Sequence, residues 1–169
     1  LECIWTILVL ICGGRKVLRV TKLADYGILL MTRFAAGPRA TLNARDLARE
    51  ARLPLPVVSK VLKLLARAGL LASQRGVKGG YALARSPELI SVAEIIRALD
   101  GPIAVTECSD RTHGGCGLTG LCPVSANWHR INSAIHHALE GITLDQMTRP
   151  LPPGGVHVDL PGAEVFPVP

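Results

Sequence analysis

Apolar residues recur along this chain at helical spacing, with polar residues filling the opposite faces. The first run opens at Thr21, a good helix N-cap, and sets Leu23, Gly27, Leu30, Met31 and Phe34 on one stripe before Gly37-Pro38 ends it. A second run begins at Asn43, with Asp46 placed to support the cap, and buries Ala44, Leu47, Ala48 and Ala51. After a Leu-Pro-Leu-Pro turn, Pro56 opens a third helix. Its apolar stripe is Val58, Val61, Leu62 and Leu65, while Ser59, Lys60, Lys63 and Arg67 face outward, and Gly69 closes it. Leu70 to Gln74 then reads as a strand, Arg75-Gly-Val-Lys-Gly-Gly80 as a basic glycine turn, and Tyr81 to Ala84 as the returning strand.

Further on, Ser91-Val-Ala-Glu94 is a capping box leading a helix that carries Val92, Ile95, Ile96 and Leu99, stopped by Asp100-Gly-Pro102. Val124, Trp128, Ile131, Ile135 and Leu139 form a long narrow stripe, closer to a pairing seam than to the wide face of a core helix. Thr143 to Met147 adds one more helical turn, and from Pro150 a Pro- and Gly-rich tail is expected to be disordered. The fold class that follows is mainly α with a small β-hairpin. Two short helices, the second with a lysine face, and a hairpin directly after them make a winged helix-turn-helix. A long dimerisation helix follows.

Charge sharpens this picture. Between Arg19 and Ala84 there are 12 Lys/Arg against 3 Asp/Glu, and elsewhere 7 against 10, so a basic region is joined to a mildly acidic remainder. That is the balance of a nucleic-acid-binding module with a separate sensing or assembly part. Ser59, Lys60 and Lys63 are the expected groove-facing residues on double-stranded DNA, with Arg75 and Lys78 on the wing. The 49% hydrophobic content with only 4% aromatic residues calls for a core of Leu, Ile, Val and Ala.

Cys108, Cys116 and Cys122 fall within fifteen residues, interleaved with Gly114, Gly115, Gly117 and Gly120. Thiolates are soft ligands for zinc, copper(I) or iron-sulfur clusters, and glycine lets backbone N–H groups approach a cluster's sulfides. Three thiolates leave one position of a four-ligand site to another residue type or another part of the molecule. Five cysteines, an odd number, argue against a disulfide framework and for a reducing, cytoplasmic compartment. Cys122 with His129 would be the only approach to a reactive-thiol site. No catalytic base with an orienting group and no substrate-binding motif accompanies that pair, so no enzyme is expected.

The opening residues 1–16 differ in character. Their apolar run from Ile4 to Cys12 is too short to span a bilayer, and no basic leader precedes it. They are expected to be a non-native upstream extension, the natural start lying at Val17 or Leu18, and Cys3 and Cys12 are given no role. Residues 17–85 are then the DNA-binding domain. Residues 86–149 carry the linker helix, cysteine loop and dimerisation helix, and 150–169 the tail.

The order of parts resembles a known family. The segments Arg19-Val-Thr-Lys-Leu-Ala-Asp-Tyr-Gly27, Ala-Gly-Leu-Leu71, Arg-Gly-Val-Lys-Gly-Gly-Tyr81 and Ser-Val-Ala-Glu-Ile-Ile96, the three cysteines and Asn-Trp-His-Arg-Ile-Asn132 resemble the bacterial winged-helix regulators that include IscR, NsrR and the SUF-system regulators. The likeness covers roughly Val17 to Arg149 and is strongest to members controlling iron-sulfur assembly operons. It implies a homodimeric repressor whose iron-sulfur cluster, 2Fe-2S ahead of 4Fe-4S, changes its affinity for a palindromic operator. Two departures bear on the ligands. The first cysteine gap is seven residues, longer than the family commonly has, and holds His113; and Ser125 stands where IscR-like members have a histidine. NsrR-like members use an aspartate near the start of the first helix, supplied by the partner subunit, and the matching residue is Asp25. The fourth ligand therefore stands open among Asp25, His113 and His129. A nitric-oxide-sensing repressor and a zinc-stabilised DNA-binding protein are the alternative functions.

Overall fold

The computed structural model describes residues 20–37, 41–76, 79–110, 116–118 and 121–150. The expectations for the upstream extension, Lys78, His113 and the tail from Leu151 onward lie outside these residues.

Helix α1 spans Lys22–Ala36, its N-terminus capped where the Thr21 hydroxyl accepts from the Ala24 N–H. Helix α2, Ala44–Ala51, starts where the Asn43 side chain accepts from the Asp46 N–H at 2.8 Å. Helix α3, Leu55–Arg67, begins one residue earlier than expected. Pro54 takes the N-cap and Pro56 falls in the first turn, where a missing N–H leaves no helical bond unmade. All four apolar stripe residues of α3 are fully buried. In α1 the buried set is Ala24, Gly27, Leu30, Met31 and Phe34, with Leu23 only half-buried, and in α2 Ala44 and Ala51 are likewise half-buried.

Strand β1 (Leu71–Gln74) pairs with β2 (Gly80–Leu83), Leu71 opposite Leu83 and Gln74 opposite Gly80. These bounds shift by one residue from the sequence expectation. The Leu70 N–H is used to close α3 on the Leu65 carbonyl, and Leu42 joins the hairpin by exchanging both backbone bonds with Tyr81, at 2.9 and 2.8 Å. Gly80 makes that approach possible, because a Cβ there would stand 2.5 Å from the Leu42 carbonyl oxygen.

After a 3-10 turn at Pro87–Leu89, the Ser91–Glu94 capping box starts helix α4, Val92–Asp100. A second 3-10 turn, Glu107–Ser109, precedes helix α5, Ser125–Glu140. A further capping box, Thr143 with Gln146, starts helix α6, Leu144–Thr148. The stretch between α5 and α6 returns to the beginning of α4. The Val92 N–H donates to the Ile142 carbonyl at 2.9 Å, and the Leu144 N–H to the Ile90 carbonyl at 2.8 Å. This clasp seats Ile90 and Leu144, both fully buried, in the same apolar core as Leu30, Met31, Leu47, Leu62 and Leu65. Each such side chain contributes about 1.5 to 3 kcal/mol by leaving water. A second small cluster, Ala24, Val92 and Ile96, receives Leu139 from α5. Polar ties add to this: Arg97 Nη2 lies 2.9 Å from His136 Nε2 and 3.6 Å from Glu140 Oε1.

Two outcomes follow. Gly80→Ala should lower stability by about 1 to 3 kcal/mol, because backbone rather than a side chain must move. Gly117→Ala, whose methyl would meet nothing within 4 Å, should stay within about 0.5 kcal/mol of wild type, both read from urea unfolding. The second concerns Glu94. Burial pushes its carboxyl up, but the Ser91 N–H and the Arg85 guanidinium outweigh this and hold it below the ordinary 4.5. A carboxyl depressed on folding stabilises the fold above its unfolded value, and that contribution is lost as pH falls through the folded one. Glu94→Gln should therefore be less stable than wild type at neutral pH, with the gap closing in acid below 4.5. A gap unchanged with pH would contradict the assignment.

Candidate nucleic-acid interface and cysteine loop

The turn between α2 and α3 is made by Arg52, which adopts a left-handed conformation (φ 55°) and returns its N–H to the end of α2. For a residue with a side chain this costs roughly 1 kcal/mol. It directs α3 away from α2 with its polar face outward. Ser59, Lys60 and Lys63 share that face with Pro56, Leu64 and Arg67, and together they line a shallow surface depression. Lys60, Lys63 and Arg67 are exposed and Ser59 is half-buried. Arg67 belongs to this surface as much as the two lysines do, and its place four residues after Lys63 made it legible. Arg52 is also exposed, but nothing in the sequence marks it for a left-handed turn. On the hairpin, Arg75 stands exposed just past β1. The Thr41 hydroxyl donates to the Gln74 side chain at 3.2 Å, bracing the strand that leads to it. The structure thus groups Ser59, Lys60 and Lys63 on one helix and sets Arg75 on a separate element.

The three cysteines lie between α4 and α5. Gly101 (φ 87°) turns the chain out of α4, and the 3-10 turn then carries Cys108. Cys122 sits just ahead of α5, its N–H bonded to the Leu118 carbonyl at 2.8 Å and its own carbonyl accepting from Ser125 at 3.3 Å. All three cysteines are half-buried thiols outside any disulfide. Thr106 Oγ1 lies 3.1 Å from Cys108 Sγ. Three reduced thiols, with open space beside Gly117, fit a soft metal or an iron-sulfur cluster in kind. They leave one coordination position to a residue outside the loop. Among the described residues, no three of His, Cys, Asp and Glu are gathered closely enough to form a ligand set. Asp25 is exposed in the first turn of α1, and His129 is exposed on α5.

The stripe on α5 divides in two. Val124, Trp128 and Ile131 are 47%, 36% and 45% exposed, whereas Ile135 and Leu139 are half-buried and Leu139 packs onto the body. One end of the helix is anchored, and the other presents a large apolar face. No helix among the described residues is long and apolar enough to cross a membrane.

Comparison with known proteins agrees with the fold. The family model described as "Rrf2: Iron-dependent Transcriptional regulator" matches residues 20–150. The HTH-type transcriptional regulator NsrR of Shouchella clausii is 26% identical over 131 residues, covering 77% of this chain and 88% of that protein. The solved structure of T. potens IscR is 29% identical, with a TM-score of 0.57, and the match covers 77% of this chain and 85% of that one. The oxidized form of Staphylococcus aureus CymR is 25% identical, with a TM-score of 0.58 over 80% of this chain and 99% of that one.

Proposed function

The chain belongs to the Rrf2 family of transcriptional regulators, and from that premise we propose that it binds an operator as a homodimer and answers to an iron-sulfur cluster held in its cysteine loop. The observation that carries this reading is three reduced, half-buried thiols flanking one long helix whose outer apolar face is exposed. In this reading residues 17–85 read DNA, residues 86–149 sense and pair, and the targets are iron-sulfur assembly genes.

Two α3 helices, one per subunit, enter successive major grooves, with Ser59, Lys60 and Lys63 toward bases and phosphates and Arg75 and Lys78 of the wing on the flanking backbone. The exposed Val124, Trp128 and Ile131 face the second copy. Cys108, Cys116 and Cys122 hold three coordination positions. Asp25 of the partner subunit supplies the fourth, with His113 and His129 as the alternatives. A cluster, when bound, supplies an oxygen-labile link across this set. A carboxylate reaching the loop from α1 of the other subunit would tie the loop directly to a DNA-binding head. Ser125 in place of a histidine, together with an exposed Asp25, also favours a second reading, a nitric-oxide-sensing repressor of the NsrR kind.

Anaerobic purification of the full chain should give a brown protein with matched iron and acid-labile sulfide that bleaches in air, and Cys116→Ala should give a folded, colourless dimer. Zinc without sulfide, or an unfolded Cys116→Ala protein, would make the loop structural. On DNA, Lys63→Ala should reduce the slope of log K against log salt by about 0.9, the share of one neutralised phosphate. An unchanged slope would remove Lys63 from the interface.

A further inference from the structure

Helix α5 has no fully buried residue, yet Asn132 in its middle is half-buried and turned toward the cysteine loop. Its Oδ1 accepts from the Val105 N–H at 3.1 Å, across 27 residues of sequence. Val105 adjoins Thr106, whose hydroxyl oxygen lies 3.1 Å from both Cys108 Sγ and Ser109 Oγ. The turn is completed by the Ser109 N–H bonded to the Thr106 carbonyl at 2.9 Å. A short relay of contacts therefore runs from the helix to one thiol.

We infer that Asn132 and Thr106 are positioning residues for Cys108. Asn132 pins the backbone that carries the cysteine to α5, and the Thr106 hydroxyl orients the sulfur. The inference rests on the cysteine loop being the cluster site proposed above, and it adds the residues that register one of its ligands. Asparagine is a weak helix former, so its place in mid-helix is explained by the amide it accepts from rather than by propensity. Without that acceptor the Val105 N–H, half-buried, would lose its partner. A hydroxyl at a ligating sulfur is also the kind of outer contact that sets a ligand's orientation and a cluster's electronic balance. Trp128 and Ile131 lie within one turn of Asn132 on the exposed face of the same helix. Docking of the second copy there would bear on the element that holds Cys108. The pin thus joins the pairing surface to the ligand loop.

The test uses the full chain and three variants. Asn132→Leu keeps the bulk and removes the acceptor, Asn132→Asp keeps an acceptor, and Thr106→Val removes only the hydroxyl. Hydrogen exchange at the Val105 amide and iodoacetamide labelling of Cys108, relative to Cys122, are read on cluster-free protein, and iron retention on anaerobic preparations. Asn132→Leu should speed Val105 exchange by about tenfold, raise Cys108 labelling and lower iron retention. Asn132→Asp should behave like wild type. Thr106→Val should raise Cys108 labelling while leaving Val105 exchange unchanged. The inference is overturned if Asn132→Leu matches wild type in exchange and labelling, or if Asn132→Asp is as disturbed as Asn132→Leu. Wild-type protein without iron would remove the cluster reading, while exchange and labelling would still decide whether the pin exists.

Discussion

Two backbone hydrogen bonds, Val92 N–H to the Ile142 carbonyl and Leu144 N–H to the Ile90 carbonyl, set the organisation of the molecule. They bring the chain back, after the long helix, to the point where it left the hairpin. Everything from α4 through the cysteine loop to α5 is thereby a loop closed at its base on the DNA-binding part. The clasp works because two of its own residues, Ile90 and Leu144, are fully buried in the core shared with α1 and α3, and apolar burial of that extent supplies what two hydrogen bonds alone would not.

From that base the attachments grow thinner toward the outer end of α5. Leu139 packs on the second apolar cluster, Arg97 meets His136 and Glu140 across partly exposed contacts, and Asn132 meets Val105. Beyond Asn132 the helix shows Trp128 and Val124 to its surroundings. The outer half of α5 leaves Val124, Trp128 and Ile131 exposed. The clasp and α4 form one route from α5 to the α3 surface. The close approach of α1 and α4 makes that route stiff: a Cβ at Gly27 would overlap Leu99. The Thr21 hydroxyl also donates to Asp100 at 2.6 Å, beside the entry to the cysteine loop.

Much of this was legible wherever the determining interaction is local. Thr21, Asn43 and Ser91 announce their caps because each side chain accepts from the backbone N–H three residues on, and the α3 stripe is buried as its spacing says. What the sequence hid depends on distant partners. Leu42 is a bridge residue only because Tyr81 comes to it, and β1 starts one residue late because the Leu70 N–H closes α3. The left-handed Arg52 has no chemical signature. Asn132 and Val105 meet only after the chain has folded back. The cysteines announced their chemistry but not their assembly. Three thiols in one loop can be counted from the sequence, whereas a fourth ligand on another element or another subunit has no spacing to betray it.

In the proposed function, the state of the cysteine loop is felt at the α3 surface. The direct measurement is operator affinity at fixed salt for one anaerobic preparation, before and after removal of its cluster, with iron and sulfide determined on both samples. The expected change is roughly 5- to 150-fold, the range of ordinary coupling between two sites. Equal affinities in the loaded and stripped samples would contradict it.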